Sequence, residues 1–226
     1  MAYPSSSLSQ GVPMTLEKKL QPSREAFAAD PIGYSSSAWL KWGIAQTIAG
    51  FPVDISKPPT SEDLKSPILW LTQAHALTQA ATALVKNQPN FEDMPINMRG
   101  VCDTQYCAVS LMLVGYSLEV CLKAMTILRS GVTDYIINER SFYHHRLVDL
   151  AEFVPNLSRK DKAVLQALTH FTLWAGRYPD PGTSRLKDQE EVFSLSEEYK
   201  IAAKDLFDLA ARVMNYASSV VEETTL

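Results

Sequence analysis

The sequence predicts an all-α protein, a bundle of helices built around one long helix from Asn97 to Ser130. Three observations carry that reading. The stretch from Asn97 to Ser130 contains no proline and places Cys107, Leu111, Val114, Leu118, Cys121, Met125 and Leu128 at spacings of four and three without a miss. The stripe from Trp70 to Leu84 and the segment from Ser194 or Ser196 to Val221 repeat the same period. Outside residues 132–143, no stretch reads as a strand.

The totals agree with one core and an appended N-terminal region: 226 residues, 46% hydrophobic and 20% charged. With 25 acidic against 21 basic side chains the net charge is −4, so no global field draws the chain to nucleic acid or an anionic membrane. Any contact with a phosphate backbone must be local. Cys102, Cys107 and Cys121 lack the CxxC spacing of zinc or redox sites and read as reduced, partly buried thiols. The longest apolar run, Ala108 to Tyr116, is half a membrane span, and no signal-like segment opens the chain. A cytoplasmic protein without a membrane contact is expected.

Residues 1–34, rich in Ser, Pro, Gln and Gly, read as an extended or disordered arm with one short helix near Leu16 to Leu20. Residues 35–94 supply accessory helices that pack on the core. Ser35 to Ser37 can cap a short aromatic helix ending near Gly50. The next helix has two competing starts, Thr60-Ser-Glu-Asp or Ser66 followed by Pro67. Trp70, Ala74, Leu77, Ala81 and Leu84 form its apolar stripe.

The main bundle is assigned to residues 95–226. Its long helix is apolar on the far side as well, at Ala108, Val109, Met112, Tyr116, Val120 and Ile127, and so belongs in the middle of the bundle. Gly131 ends it. A helix from His145 stops at Pro155, and Ser158-Arg-Lys-Asp is a capping box for a helix reaching Arg177. Tyr178 to Glu190 reads as a polar surface loop.

Three groups of residues can carry chemistry. Glu119 and Lys123 stand one turn apart in apolar surroundings, either as a plain ion pair or as a shared, partly buried site. His145 and Asp149 share a face, where the carboxylate could orient the imidazole as a general base or simply pair with it; the helix start favours the neutral ring. His170, Trp174 and Arg177 share a face at i, i+4 and i+7, with Tyr178 next. Arginine beside tyrosine can hold a phosphate and stack a base, or Arg177 can complement the helix dipole while Trp174 fills the core. No metal-ligand spacing, P-loop, GxGxxG or HExxH is present, so neither metal nor cofactor is expected.

Three segments in order, Ser117-Leu-Glu-Val-Cys-Leu-Lys-Ala, His145-Arg-Leu-Val-Asp-Leu-Ala and Trp174-Ala-Gly-Arg-Tyr-Pro-Asp, resemble the HEPN family over residues 103–221. The resemblance implies a HEPN-like helical bundle, here with additional N-terminal helices, that commonly forms a homodimer and binds RNA or nucleotide. Many members are ribonucleases of toxin-antitoxin, phage-defence or RNA-processing systems; others are non-catalytic partners of nucleotidyltransferases, often supplied by an adjacent gene. The ribonucleases share an Arg-x(4-6)-His motif. Arg177 has no histidine after it, and the literal match, Arg140 to His145, precedes the His-x-Leu segment instead. Catalysis would then be metal-independent, with His145 or His170 as base and Arg177 on the pentacovalent phosphate. Without catalysis, Glu119, Lys123, Arg177 and Tyr178 would form a nucleotide site.

Overall fold

A computed structural model describes residues 16–87 and 89–225. The first 15 residues of the expected arm lie outside them. The described residues form helices, turns and loops with no strand among them, so the chain is all-α. It divides into two compact units, one ending at Leu64 and one beginning at Lys65.

The first unit holds α1 (Leu16–Leu20), α2 (Arg24–Ala29), α3 (Pro31–Ser35), α4 (Ala38–Ile48) and α5 (Ser61–Leu64). Composition suggests extended chain through residue 34, yet two helices form there because each has its own cap. The Ser23 hydroxyl accepts from the Ala26 N–H, the Asp30 carboxylate accepts from the Gly33 N–H, and Pro31 opens α3. Tyr34 ties them together: its hydroxyl accepts from the Ser23 N–H at 3.0 Å, and the Lys41 ammonium stands 3.9 Å from its ring centre. At α5 the Asp63 carboxylate accepts from the Thr60 N–H while the Thr60 hydroxyl accepts from the Asp63 N–H. That helix ends at Leu64, and Ser66 and Pro67 begin the next, so both competing starts are used.

The second unit holds α6 (Pro67–Lys86), α7 (Arg99–Ser130), α8 (Val132–Ile137), α9 (Glu139–Phe142), α10 (Leu147–Leu150), α11 (Arg159–His170), α12 (Leu186–Tyr199) and α13 (Ala203–Thr225). Helices α6, α10, α11 and α13 all pack on α7. From Val114 to Ile127 that helix is buried on nearly every side, with Leu118, Leu122 and Met125 fully enclosed. Each such side chain stabilises the fold by about 1.5–3 kcal/mol relative to exposure. Ala74 and Ala81 let α6 approach closely, and Leu209, Val213 and Val220 bring in the inner face of α13. By length and composition α7 could cross a membrane; 56% of its most apolar window is buried within the fold. The expectation of partly buried thiols holds for Cys102 and Cys121, whereas Cys107 is exposed.

Three boundaries differ from the periodicity. Residues 132–143 form two short helices rather than a strand-like excursion. They begin after Gly131, whose φ of +82° and ψ of 157° only glycine adopts readily. The segment after His145 is helical only over Leu147–Leu150. The polar stretch expected as a loop to Glu190 is helical from Leu186. That helix ends at Lys200, which takes the left-handed conformation (φ 49°) and separates α12 from α13. No residue of α12 is buried, which is why its weak periodicity does not stand out in the sequence.

Between α11 and the loop, Phe171–Ala175 forms a π-helical turn, with the Gly176 N–H bonded to the Phe171 carbonyl at 3.2 Å. This turn lies unusually close to α7. A Cβ on Gly115 would fall 2.5 Å from Thr172 Cγ2 and 3.1 Å from the Leu168 carbonyl oxygen; one on Gly176 would fall 2.3 Å from Met112 Cβ. Gly115→Ala therefore destabilises the protein, by about 1–3 kcal/mol of overpacking that outweighs the helix-propensity gain. Gly100→Ala on the same helix meets nothing within 4 Å and is neutral or stabilising. Thermal unfolding of the two variants should shift in opposite directions or leave only the first displaced.

A second expectation concerns reactivity. Burial pushes the Cys121 thiol up to about 12, so an alkylating reagent at pH 8 should label Cys107 and leave Cys121 unmodified until the fold opens.

Candidate functional site

The apolar face that carries Glu119 and Lys123 is enclosed by neighbouring elements: Glu119 is 5% exposed and Lys123 9%. A carboxylate so desolvated must be fully bonded. One oxygen, Oε1, accepts from Lys123 Nζ at 2.8 Å, and the other, Oε2, lies 2.8 Å from Nδ1 of His145. The carboxylate thereby selects the tautomer with hydrogen on Nδ1 and leaves Nε2 as the acceptor. The His145 side chain is 41% exposed, so this acceptor edge is open to a ligand.

The ring of Tyr116, one turn before Glu119, stands edge-on to the His145 imidazole with centroids 6.1 Å apart. Its hydroxyl donates to the Thr172 carbonyl at 3.1 Å, joining the π turn to the imidazole. The Leu147 N–H donates to Thr169 Oγ1 and fixes the chain just after His145. The expected partner Asp149 is engaged elsewhere, by the Arg146 guanidinium, because α10 starts at Leu147 and His145 lies outside the helical register. Beside this pair, burial and then the Arg146 charge hold the His144 imidazole below the usual histidine range.

Arg177 and Tyr178 occupy another place. A cleft of about 610 Å³ is lined by Val101, Gln105 and Val109 of α7 and by Trp174, Arg177 and Tyr178. The Arg177 guanidinium donates to the Leu173 carbonyl and lies 5.6 Å from the Tyr178 ring centre; both side chains are exposed. The indole N–H of Trp174 is buried without an acceptor among the described residues. Gln105, Val109, Met112, Tyr116, Glu119 and Lys123 succeed one another at spacings of four and three, so the cleft and the Glu119 cluster share one face of α7. From Val109 to Glu119 that face covers roughly 15 Å.

His170 joins neither group. The π turn inserts a residue into the helical count and rotates the residues beyond it by about 100°, so Arg177 no longer shares a face with His170. Its Nε2 lies 3.2 Å from Glu191 Oε2 on α12, with Asp188 beside them. The sequence pattern misses Tyr116, Asp188 and Glu191 as neighbours of candidate groups. Tyr116 reads there as an apolar position of the long helix, and Asp188 falls in the expected loop.

The fold and the site together define an all-α bundle whose central helix buries a Glu–Lys pair and offers the carboxylate to a half-exposed histidine. Compared with protein-family models, with curated proteins and with solved structures, the chain matches none.

Removing Glu119 alone leaves the Lys123 ammonium buried without a counter-charge. Glu119→Ala should cost about 3–5 kcal/mol, whereas Glu119→Leu with Lys123→Met should lie close to the wild type. Urea unfolding of the single and double variants checks this; a single-variant loss below about 0.5 kcal/mol would mean that the pair is effectively solvated.

Proposed function

We propose that this chain is a HEPN-like protein that binds RNA and cleaves it without a metal ion, with His145 as general base. The observation that carries the reading is the Glu119 carboxylate, held by Lys123 and placed 2.8 Å from Nδ1 of a half-exposed imidazole. Nε2 would take the proton of a ribose 2′-hydroxyl as its oxygen bonds to the adjacent phosphorus. The P–O5′ bond breaks, O5′ takes a proton from solvent, and a 2′,3′-cyclic phosphate remains. Glu119 stabilises the imidazolium formed in that step.

The Arg177 cleft lies roughly 15 Å further along the same face of α7. In this reading Arg177 and Tyr178 hold a phosphate and a base of the same strand away from the reacting bond, instead of the pentacovalent phosphate itself. His170, turned towards α12, takes no part. The first two segments of the resemblance meet through Glu119 and His145, which supports the reading further. A homodimer, a cytoplasmic location and a place in a prokaryotic stress, toxin-antitoxin or phage-defence module complete the proposal.

A second reading is a non-catalytic dimerisation protein or partner of a nucleotidyltransferase. It is favoured by exposed apolar side chains around the start of α7: Met94, Ile96 at 83% exposure, Met98 and Val101.

Incubation with end-labelled RNA in excess chelator separates the two. Cleavage leaving cyclic phosphate ends is expected, falling by about 10²-fold or more in His145→Ala. Arg177→Ala should weaken RNA binding more than it slows the chemical step. RNA that survives the wild-type protein intact removes the catalytic reading.

A further inference from the structure

We propose that His170, Asp188 and Glu191 form a site for a borderline divalent metal ion such as Zn²⁺, which clamps α12 onto α11. The site shares no residue with the Glu119–His145 pair and stands independently of it.

The donors come from facing helices. His170 closes α11, while Asp188 and Glu191 lie one turn apart on the side of α12 turned towards it, each half-buried. One donor atom from each lies within 4.8 Å of the other two. The 3.2 Å between His170 Nε2 and Glu191 Oε2 is close to the edge of about 3.3 Å that two ligands at about 2.0 Å subtend at a tetrahedral ion. Gln166, one turn before His170, donates to Glu191 Oε1 and orients that carboxylate, as outer partners of metal ligands do. Asp188 has no hydrogen bond or ion pair among the described residues, so it can turn inwards without breaking one.

Two further features point to a ligand. The His170 side chain is 9% exposed and directs Nε2 at the two carboxylates. Among the described residues no lysine or arginine pairs with Asp188 or Glu191, so two half-buried carboxylates face each other with only an imidazole between them. A divalent cation removes that repulsion. One nitrogen and two carboxylate groups suit Zn²⁺ better than Mg²⁺ or Ca²⁺, which prefer oxygen alone. The consequence is mechanical: α12 has no buried residue and is joined to the bundle mainly through α11, so a metal crosslink would supply attachment that its packing lacks.

The test uses the full chain, stripped with chelator and titrated with Zn²⁺ alone. One Zn²⁺ per chain is expected to bind and to slow amide hydrogen exchange over residues 186–199, while Mg²⁺ at the same concentration leaves exchange unchanged. Asp188→Asn and Glu191→Gln should each weaken Zn²⁺ binding by at least about tenfold. Asp188→Asn breaks no hydrogen bond or ion pair among the described residues and removes one of the two facing charges, so its metal-free exchange over residues 186–199 should be no faster than in the wild type. Absence of saturable Zn²⁺ binding overturns the proposal, and so does binding that survives both substitutions undiminished.

Discussion

A carboxylate in the middle of a helix on which four others pack has to be compensated where it stands. Glu119 is that group, and its two oxygens take one donor each from Lys123 and His145. The first bond is local, one turn along the same helix. The second reaches 26 residues ahead and fixes where the chain must be when it returns past α7 after two short helices. Leu147, fully buried, comes two residues later, and its N–H is bonded to Thr169 on α11. The charge and the packing therefore select the same path.

The other constraint is the proximity of α7 to the π turn. Gly115 and Gly176 remove the two side-chain carbons that would hold these segments apart, and Tyr116 then reaches the Thr172 carbonyl. Because a π turn holds an extra residue, the helix enters it with His170 aimed at α12 and leaves it with Arg177 in the cleft beside the first turns of α7. A single irregular turn thus separates residues that a regular helix would align. It gives the bundle two chemically distinct faces, a largely apolar cleft bearing Arg177 with a histidine further along, and an acidic pair with a histidine behind it.

The elements set by local rules were legible in the residues: the α7 seam, the α6 stripe, and the Ser158–Asp161 capping box, whose two reciprocal bonds are both present. Glu119 and Lys123 were legible as anomalies, since charge on an apolar face is visible without a structure. Their connection to His145 was not, because a pairing 26 residues apart depends on two short helices and a turn that no periodicity announces. Asp149 would share a face with His145 only in a helix that starts at His145, and α10 starts at Leu147. The π turn was illegible for a similar reason: it obeys tertiary closeness at Gly115 and Gly176, and Phe171–Ala175 has an ordinary helical composition. The first half of α12 is illegible because a helix without a buried residue has little apolar period to display, and its second half reads as the start of α13.

Stability alone does not account for the Glu119–Lys123 pair. Desolvating two charges costs several kcal/mol per ion, and apolar side chains of similar volume commonly serve a core as well or better. A leucine and a methionine would fill this space between α7 and its neighbours. What they could not supply is an acceptor aimed at Nδ1 of His145, holding one tautomer and one ring orientation at an otherwise open edge. Lys123 has a matching role, since without it Glu119 would be a buried anion whose only donor is a histidine that itself gains and loses protons. With the ammonium in place Oε1 keeps a donor of its own and Oε2 stays directed at the imidazole. That is the arrangement a general base needs, and it is why the buried charge on the central helix is better explained by the histidine it faces than by the core it interrupts.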